Sequence, residues 1–296
     1  MNKVIVIVGP TAIGKTKLSI RLAKRYGVDI ISGDSIAIYK RLDIGSAKPT
    51  EEEMDGVVHH LINERNPEEE YSVADFQQAA RSVLDQKPLS IICGGTGLYI
   101  QAALFNYEFK SPKRNISMEE KYAKLSNEEL YQHLVELDCN IDQKKIHPNN
   151  RKRVLRAIEV YEELGKSIHS FNHKEEALYE YYIVYLDMDR DLLYQRIHKR
   201  VDEMLQEGLL DEVKELAKDN IYPKGIGYRE WIPYLEGKES YEMVIEKIKK
   251  NTRHLAKRQA TWFKNQMNSH FYLIDPSHLE EAYCQIEQDI DRWLKK

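Results

Sequence analysis

The stretch "GPTAIGKT", Gly9 to Thr16, has the spacing of a phosphate-cradling loop. Gly9 and Gly14 let the backbone curl, so that N–H groups between Pro10 and Thr16 can turn inward onto an anion at the start of a helix. Thr11, Ala12 and Ile13 make up the body of that loop. Lys15 is placed to reach an outer phosphate, and the Thr16 hydroxyl is the usual ligand for magnesium. A second candidate is Asp34 in "IISGDSIAIY". A carboxylate after a strand can hold magnesium or accept a proton from a nucleophile approaching the bound phosphate compound. A third is "GGTG", Gly94 to Gly97. Many ATPases carry a magnesium-organising Asp at such a strand end. Here glycines and Thr96 take its place, which weakens an ATPase reading, although Asp187 also follows an apolar strand. The glycines suggest either close backbone approach to a ligand or a simple turn. Arg196 and Arg200 lie four apart and share one helix face. Two guanidinium groups there could clamp a pyrophosphate, but spacing alone favours surface pairing with Asp191, Asp202 or Glu203.

These residues need a scaffold, and the flanking sequence describes one. "KVIVIV" (Lys3 to Val8) reads as a buried strand, followed by the glycine loop and a helix with Leu18, Leu22 and Ala23 on one face, ending near Gly27. "VDIIS", "PLSIIC" and "YYIVYLDMD" read as further strands. Strand, glycine loop, helix, strand is the opening of a parallel sheet whose ligands gather at the strand C-termini. The expected fold class is therefore α/β, a P-loop NTPase-like parallel sheet flanked by helices. Its core takes in residues 1–112 and 180–296, interrupted at 113–179 by a small all-helical insertion. Within the insertion, Ser126 with Glu129 forms a capping box, and "RKRVLRAIEVYEELGKS" reads as a helix ending at Gly165. After Asp189 the chain reads as helical almost throughout, with one last strand, "HFYLID", before a terminal helix.

Composition narrows the classes. Apolar residues make up 42% and charged residues 31% of 296, an ordinary globular balance. No apolar run approaches the roughly 18 residues that span a bilayer. The N-terminus lacks a small-residue cleavage pattern, so a cytoplasmic protein without a membrane role is expected. Cys93, Cys139 and Cys284 form no CxxC pair, and His59, His60, His147, His169, His173 and His198 have no metal-binding spacing. Idle thiols and no structural metal are expected. Net charge is -4, yet Lys144–Arg156 holds six Lys or Arg and Lys247–Lys264 holds seven, with no acid in either. Two acid-free patches on an acidic background can form a polyanion-binding face. From residues alone, a P-loop kinase for a small metabolite fits, and so does a transferase whose second substrate is a nucleic acid.

Taken in order, "GPTAIGKT", "IISGDSIAIYKRLDIGSAKP", "HHLI", "YSVADFQ", "GGTGLYI", "KIHPNNRKRVLRAIEV", "RVDEMLQEGLL", "GIGYRE" and "TRHLAKRQATWF" resemble the tRNA dimethylallyltransferase family over nearly the whole chain. The resemblance implies transfer of a dimethylallyl group from dimethylallyl pyrophosphate to the exocyclic amine of the adenosine just 3′ of the anticodon. The glycine loop would then hold dimethylallyl pyrophosphate in place of ATP, with Lys15, Thr16 and Arg200 on the pyrophosphate, magnesium on Thr16, and Asp34 as general base. Ser35, Ile36 and Ala37 would follow Asp34 in a tRNA-contacting segment, with Thr96 beside the target base. Lys152, Arg153 and Arg156 would contact tRNA from the insertion, and Thr252, Arg253, Lys257, Arg258 and Gln259 from the long helix. Family members often carry Gln where Ala37 stands, which would leave adenine recognition to backbone or other side chains. A monomer working on the tRNA anticodon stem-loop is expected, and the absence of a zinc-finger extension points to the bacterial type. The rivals are an adenylate isopentenyltransferase using AMP, ADP or ATP as acceptor, a small-molecule kinase, and an RNA-binding protein with a vestigial loop.

Overall fold

The computed structural model of the chain describes residues 1–106, 117–170 and 176–296. Lys113 and His173 lie outside them. The chain divides into two compact units, Met1–Phe105 with Ala177–Lys296, and Asn106–Glu176.

The larger unit is built on β1 (Lys3–Val8), whose last five residues are buried. A parallel strand covered on both faces reads as a continuous apolar run, yet successive side chains still alternate between faces. Ile5 and Ile7 enter one apolar cluster with Leu18, Leu22, Ile286 and Ile290, while Val4, Val6 and Val8 enter another with Phe76, Ile100 and Phe263. Fully burying each such side chain contributes roughly 1.5–3 kcal/mol. After β1 come α1 (Lys15–Tyr26), β2 (Ile30–Ser32), α2 (Glu51–Met54), β3 (His59–His60), α3 (Val73–Leu84), β4 (Leu89–Cys93) and α4 (Gly97–Leu104). The smaller unit contains α5 (Ser117–Lys121), α6 (Asn127–Leu137) and α7 (Arg151–Leu164). The chain then re-enters the larger unit through β5 (Glu180–Asp187), α8 (Arg190–Gln206), α9 (Leu209–Lys218), α10 (Ile232–Leu235), α11 (Tyr241–Gln266), β6 (His270–Leu273) and α12 (Leu279–Leu294).

All pairings in the six-stranded sheet are parallel, in the order β3-β2-β4-β1-β5-β6. Cys93 is in register with both Ile7 and Ser32. The turns after β1, β2 and β4 therefore leave one edge of the sheet together, as the strand and loop pattern predicts. The pairing continues past the strands: Gly94 N–H donates to Ile7 O at 3.2 Å and Gly33 N–H to Cys93 O at 2.8 Å.

The smaller unit packs Leu130, Leu134, Val154 and Ile158 into its own core. Its α6 begins at the expected capping box, Ser126 accepting from Glu129 N–H while Glu129 accepts from Ser126 N–H. The division falls at 105/106 and 176/177, where the sequence places it at 112/113 and 179/180. At the second crossing Leu178 N–H already donates to Leu104 O at 2.9 Å, and Tyr179 is buried with its hydroxyl on Asp85 at 2.7 Å. Two-residue β3 carries no apolar periodicity and is not visible in the sequence.

Candidate active site

The loop between β1 and α1 curls tightly. Gly9 has φ 146°, and a Cβ there would stand 2.5 Å from Leu186 O, so only glycine lets β5 approach this closely. Gly14, with φ 104°, leads into α1. Lys15 folds back over the loop, donating from Nζ to Gly9 O at 3.1 Å and Pro10 O at 2.8 Å. Burial brings its ammonium down from 10.5 to about 8; the nearby Arg200 charge adds to this, while Cys93 and Asp34 oppose it. Burial also lowers the Arg200 guanidinium and pushes the Cys93 thiol up.

A cavity of about 1150 Å³ opens over the loop. Lys15, Thr16, Arg196 and Arg200 contribute to its lining, together with apolar Ile44, Ile62 and Met204. The expectation that Arg196 and Arg200 pair on the surface is corrected here. Asp202 is bound by Lys249 at 2.7 Å and Glu203 by Lys199 at 3.5 Å. Arg196 Nε instead donates to Ala12 O at 2.8 Å, and Arg200 Nη2 to Ala47 O at 3.2 Å. Both alanines are in left-handed backbone, with φ 65° and 51°. Such a conformation costs roughly 1–3 kcal/mol per residue and persists only where surrounding structure enforces it. Each arginine thus braces a strained carbonyl, and among the described residues neither takes part in an ion pair. Lys48, also in the lining, is satisfied by Tyr39 O, Asp43 Oδ1 and Asn63 Oδ1 at 2.7, 2.7 and 2.6 Å.

Asp34, in the turn after β2, is half-buried, with Oδ1 accepting from Ile36 N–H at 2.8 Å. It is not part of the cavity lining, but its charge acts on both Lys15 and Arg200. The "GGTG" turn braces the Asp34 segment. Thr96 N–H donates to Gly33 O at 3.2 Å, and Thr96 Oγ1 accepts from Ser35 N–H at 3.3 Å. Its glycines do allow a close approach, but by the protein's own groups. A Cβ on Gly94 would meet Gly33 backbone at 2.3 Å, on Gly95 the Gln259 amide at 2.2 Å, and on Gly97 the Trp262 ring at 2.1 Å. Asp187 is bound by Lys264 at 2.9 Å and is not in the cavity lining.

The remaining candidates split by accessibility. Lys152, Arg153, Lys257 and Arg258 are exposed, whereas Ala37 is buried and Ile36 half-buried. Arg156 binds Glu159; Arg253 binds His198 and lies over the Tyr194 ring; Thr252 Oγ1 donates to Ile248 O at 2.8 Å. Gln259 faces inward, on Thr11 N–H and Gly95 O. Sequence reasoning missed that inward role, and the only sequence signal for it was the run of glycines opposite.

A family model described as IPP transferase matches residues 37–266. The tRNA dimethylallyltransferase of Bacillus licheniformis is 46% identical over 305 residues, covering 97% of this chain and 97% of that protein. The tRNA dimethylallyltransferase of Oceanobacillus iheyensis is 44% identical, covering 97% and 96%. A crystal structure of tRNA delta(2)-isopentenylpyrophosphate transferase from Staphylococcus epidermidis superposes with a TM-score of 0.72 at 40% identity, covering 99% of each chain. A eukaryotic dimethylallyltransferase described as acting on tRNA superposes at 0.82 with 29% identity, covering 97% of this chain and 78% of that one.

Proposed function

The chain belongs to the IPP transferase family, and from that premise we propose that it moves a dimethylallyl group from dimethylallyl pyrophosphate to tRNA. The acceptor is the exocyclic amine of the adenosine just 3′ of the anticodon, and pyrophosphate leaves. The observation that carries this is the cationic side of the cavity: Lys15, Arg196 and Arg200 meet over the glycine loop without carboxylate partners among the described residues, while Asp34 stands close enough for its charge to act on Lys15 and Arg200.

In the reaction a bond forms between the adenine amine nitrogen and the allylic carbon as the bond from that carbon to the diphosphate oxygen breaks. The electron pair leaves with pyrophosphate, and the amine proton passes to Asp34. The main demand is stabilising the departing anion, met by loop N–H groups, Lys15 and the two arginines. The adenine amine is a weak nucleophile, and a carboxylate taking its proton contributes about 10²- to 10⁴-fold. Among the described residues no group of three His, Cys, Asp or Glu is placed to hold a metal by itself. Thr16, in the first turn of α1 and in the cavity lining, fits magnesium held mostly by substrate oxygens and water. Bound there, the ion would neutralise charge on the leaving group.

On the RNA side, exposed Lys152, Arg153, Lys257 and Arg258 are proposed to bind phosphates of the anticodon stem-loop. Ser35, Ile36 and Thr96 border the target base, which in a loop is cheap to unstack. Ala37, Arg156, Thr252 and Arg253 complete the proposed tRNA-contacting segments. Among the described residues no helix is long and apolar enough to cross a membrane, and the enzyme is proposed to act as a cytoplasmic monomer. Labelled dimethylallyl pyrophosphate with magnesium, offered unmodified tRNA and AMP separately, tests the function. Label is expected in tRNA at that adenosine; label in AMP alone would overturn it in favour of an adenylate transferase.

A further inference from the structure

We propose that Gln259 is a positioning residue that fixes the distance between the leaving-group loop and the general base, and that it does not contact RNA. The inference rests on the function proposed above.

The Gln259 side chain uses both ends of its amide inside the protein. Its Oε1 accepts from Thr11 N–H at 3.0 Å, in the loop that cradles the anion, and its Nε2 donates to Gly95 O at 3.2 Å. Those two loops end neighbouring strands, β1 and β4. From Gly95 the connection to Asp34 is short. The next residue, Thr96, donates its N–H to Gly33 O and accepts from Ser35 N–H, the residues on either side of Asp34. The carboxylate itself is pinned by Ile36 N–H at 2.8 Å. One side chain on α11 therefore ties the loop that would receive negative charge to the segment that would receive the proton. A Cβ on Gly95 would stand 2.2 Å from the Gln259 amide nitrogen, so a larger residue there fits only if this amide moves away. The glycine at that point serves this amide.

The chemistry makes such a tie valuable. Displacement at an allylic carbon needs amine, carbon and leaving oxygen held close to their reacting geometry, and a 1 Å misplacement costs on the order of 10²-fold in rate. The neighbours Lys257 and Arg258 on the same helix are exposed, so α11 presents charge outward and this amide inward.

The test uses the full chain with unmodified tRNA and labelled dimethylallyl pyrophosphate in single turnover, comparing Gln259→Met, Gln259→Glu and Gly95→Ala. Gln259→Met keeps the volume and removes both hydrogen bonds. It is expected to lose about 10²-fold in the transfer step, with the donor KM and tRNA Kd within a few-fold of wild type. Gln259→Glu keeps the acceptor for Thr11 N–H but turns a donor into an acceptor against Gly95 O, and should be nearly as impaired. Gly95→Ala, which displaces the same amide, should reproduce the split. Amide exchange at Thr11, measured without substrate, should speed up in Gln259→Met. Full transfer activity in Gln259→Met would show that only packing matters and overturn the proposal. A loss confined to tRNA affinity would make Gln259 an RNA contact and overturn it too. If wild type fails to label tRNA, the functional proposal falls, and unchanged Thr11 exchange in Gln259→Met would still dismiss the tie.

Discussion

Two glycine-rich loops leave the same edge of the sheet; both admit the protein's own groups at close range, but of the two the first borders the cavity and the second does not. In Gly9–Thr16, Gly9 makes room for Leu186 O while Gly14 turns the chain into α1, and the side chains gathered there, Lys15, Thr16, Arg196 and Arg200, line a cavity. In Gly94–Gly97 the space is already filled by Gly33 backbone, the Gln259 amide and the Trp262 ring. One loop borders a cavity, and the other is packed throughout against the protein and braces Asp34. A glycine run thus signals close approach without saying what approaches.

The sharpest way to break the comparison is at Asp34, which the second loop braces and whose charge reaches the first. Asp34→Ala is expected to lower transfer by about 10²- to 10⁴-fold while tRNA affinity stays within a few-fold. A large loss of affinity, read by filter binding, would make it a recognition residue. On the cavity side, Arg200→Ala removes a charge-assisted interaction of about 1.5–3 kcal/mol. It should therefore raise the donor KM by about 10- to 100-fold, with a fall in melting temperature from the lost hydrogen bond to Ala47 O; unchanged donor kinetics would mean that Arg200 only braces Ala47.

The second loop should respond the other way. Gly94→Ala forces a Cβ into Gly33 backbone and is expected to destabilise by about 1–3 kcal/mol. Thermal melting should show a fall of about 2–4 °C for each kcal/mol in a chain of this size. An unshifted melt would refute the filled-loop description.

Lys15 supplies a smaller, pH-dependent test. Its folded value of about 8 lies below the 10.5 of an exposed lysine. Between the two the unfolded chain binds more protons, so stability of the ligand-free protein should rise with pH across that window. Donor binding needs the ammonium charged, so the donor KM should climb as pH passes about 8, and Lys15→Arg should remove that inflection. The smallest effect concerns the outer face of α11. Lys257→Ala and Arg258→Ala should each reduce the salt slope of tRNA binding by about 0.7–0.9, whereas Lys249→Ala, engaged with Asp202, should leave it unchanged.

Much of the fold was legible because its signals are local. The apolar run Lys3–Val8, the Ser126–Glu129 capping box and the helix stop at Gly165 each depend on residues a few positions apart. So does the phosphate loop, whose spacing alone predicts a curled backbone, an inward lysine and a following helix. The placement of Arg200 in the cavity lining was less legible, since a spacing of four fits a cavity face and a surface ion pair equally well. The fates of the two basic runs were not legible at all. Arg156 and Arg253 are spent on Glu159 and His198, while Lys257 and Arg258 stay exposed.

By itself, then, the sequence determined the parallel α/β scaffold, the loop that can hold a diphosphate, and the carboxylate that follows the second strand. Tertiary structure alone decided which cations face the cavity, which are consumed in ion pairs, and that Gln259 reaches Thr11 across 248 residues of chain. The reason is physical. Backbone periodicity and capping are settled within a few residues, whereas a long polar side chain takes whichever partner the packing of distant elements brings within hydrogen-bonding reach.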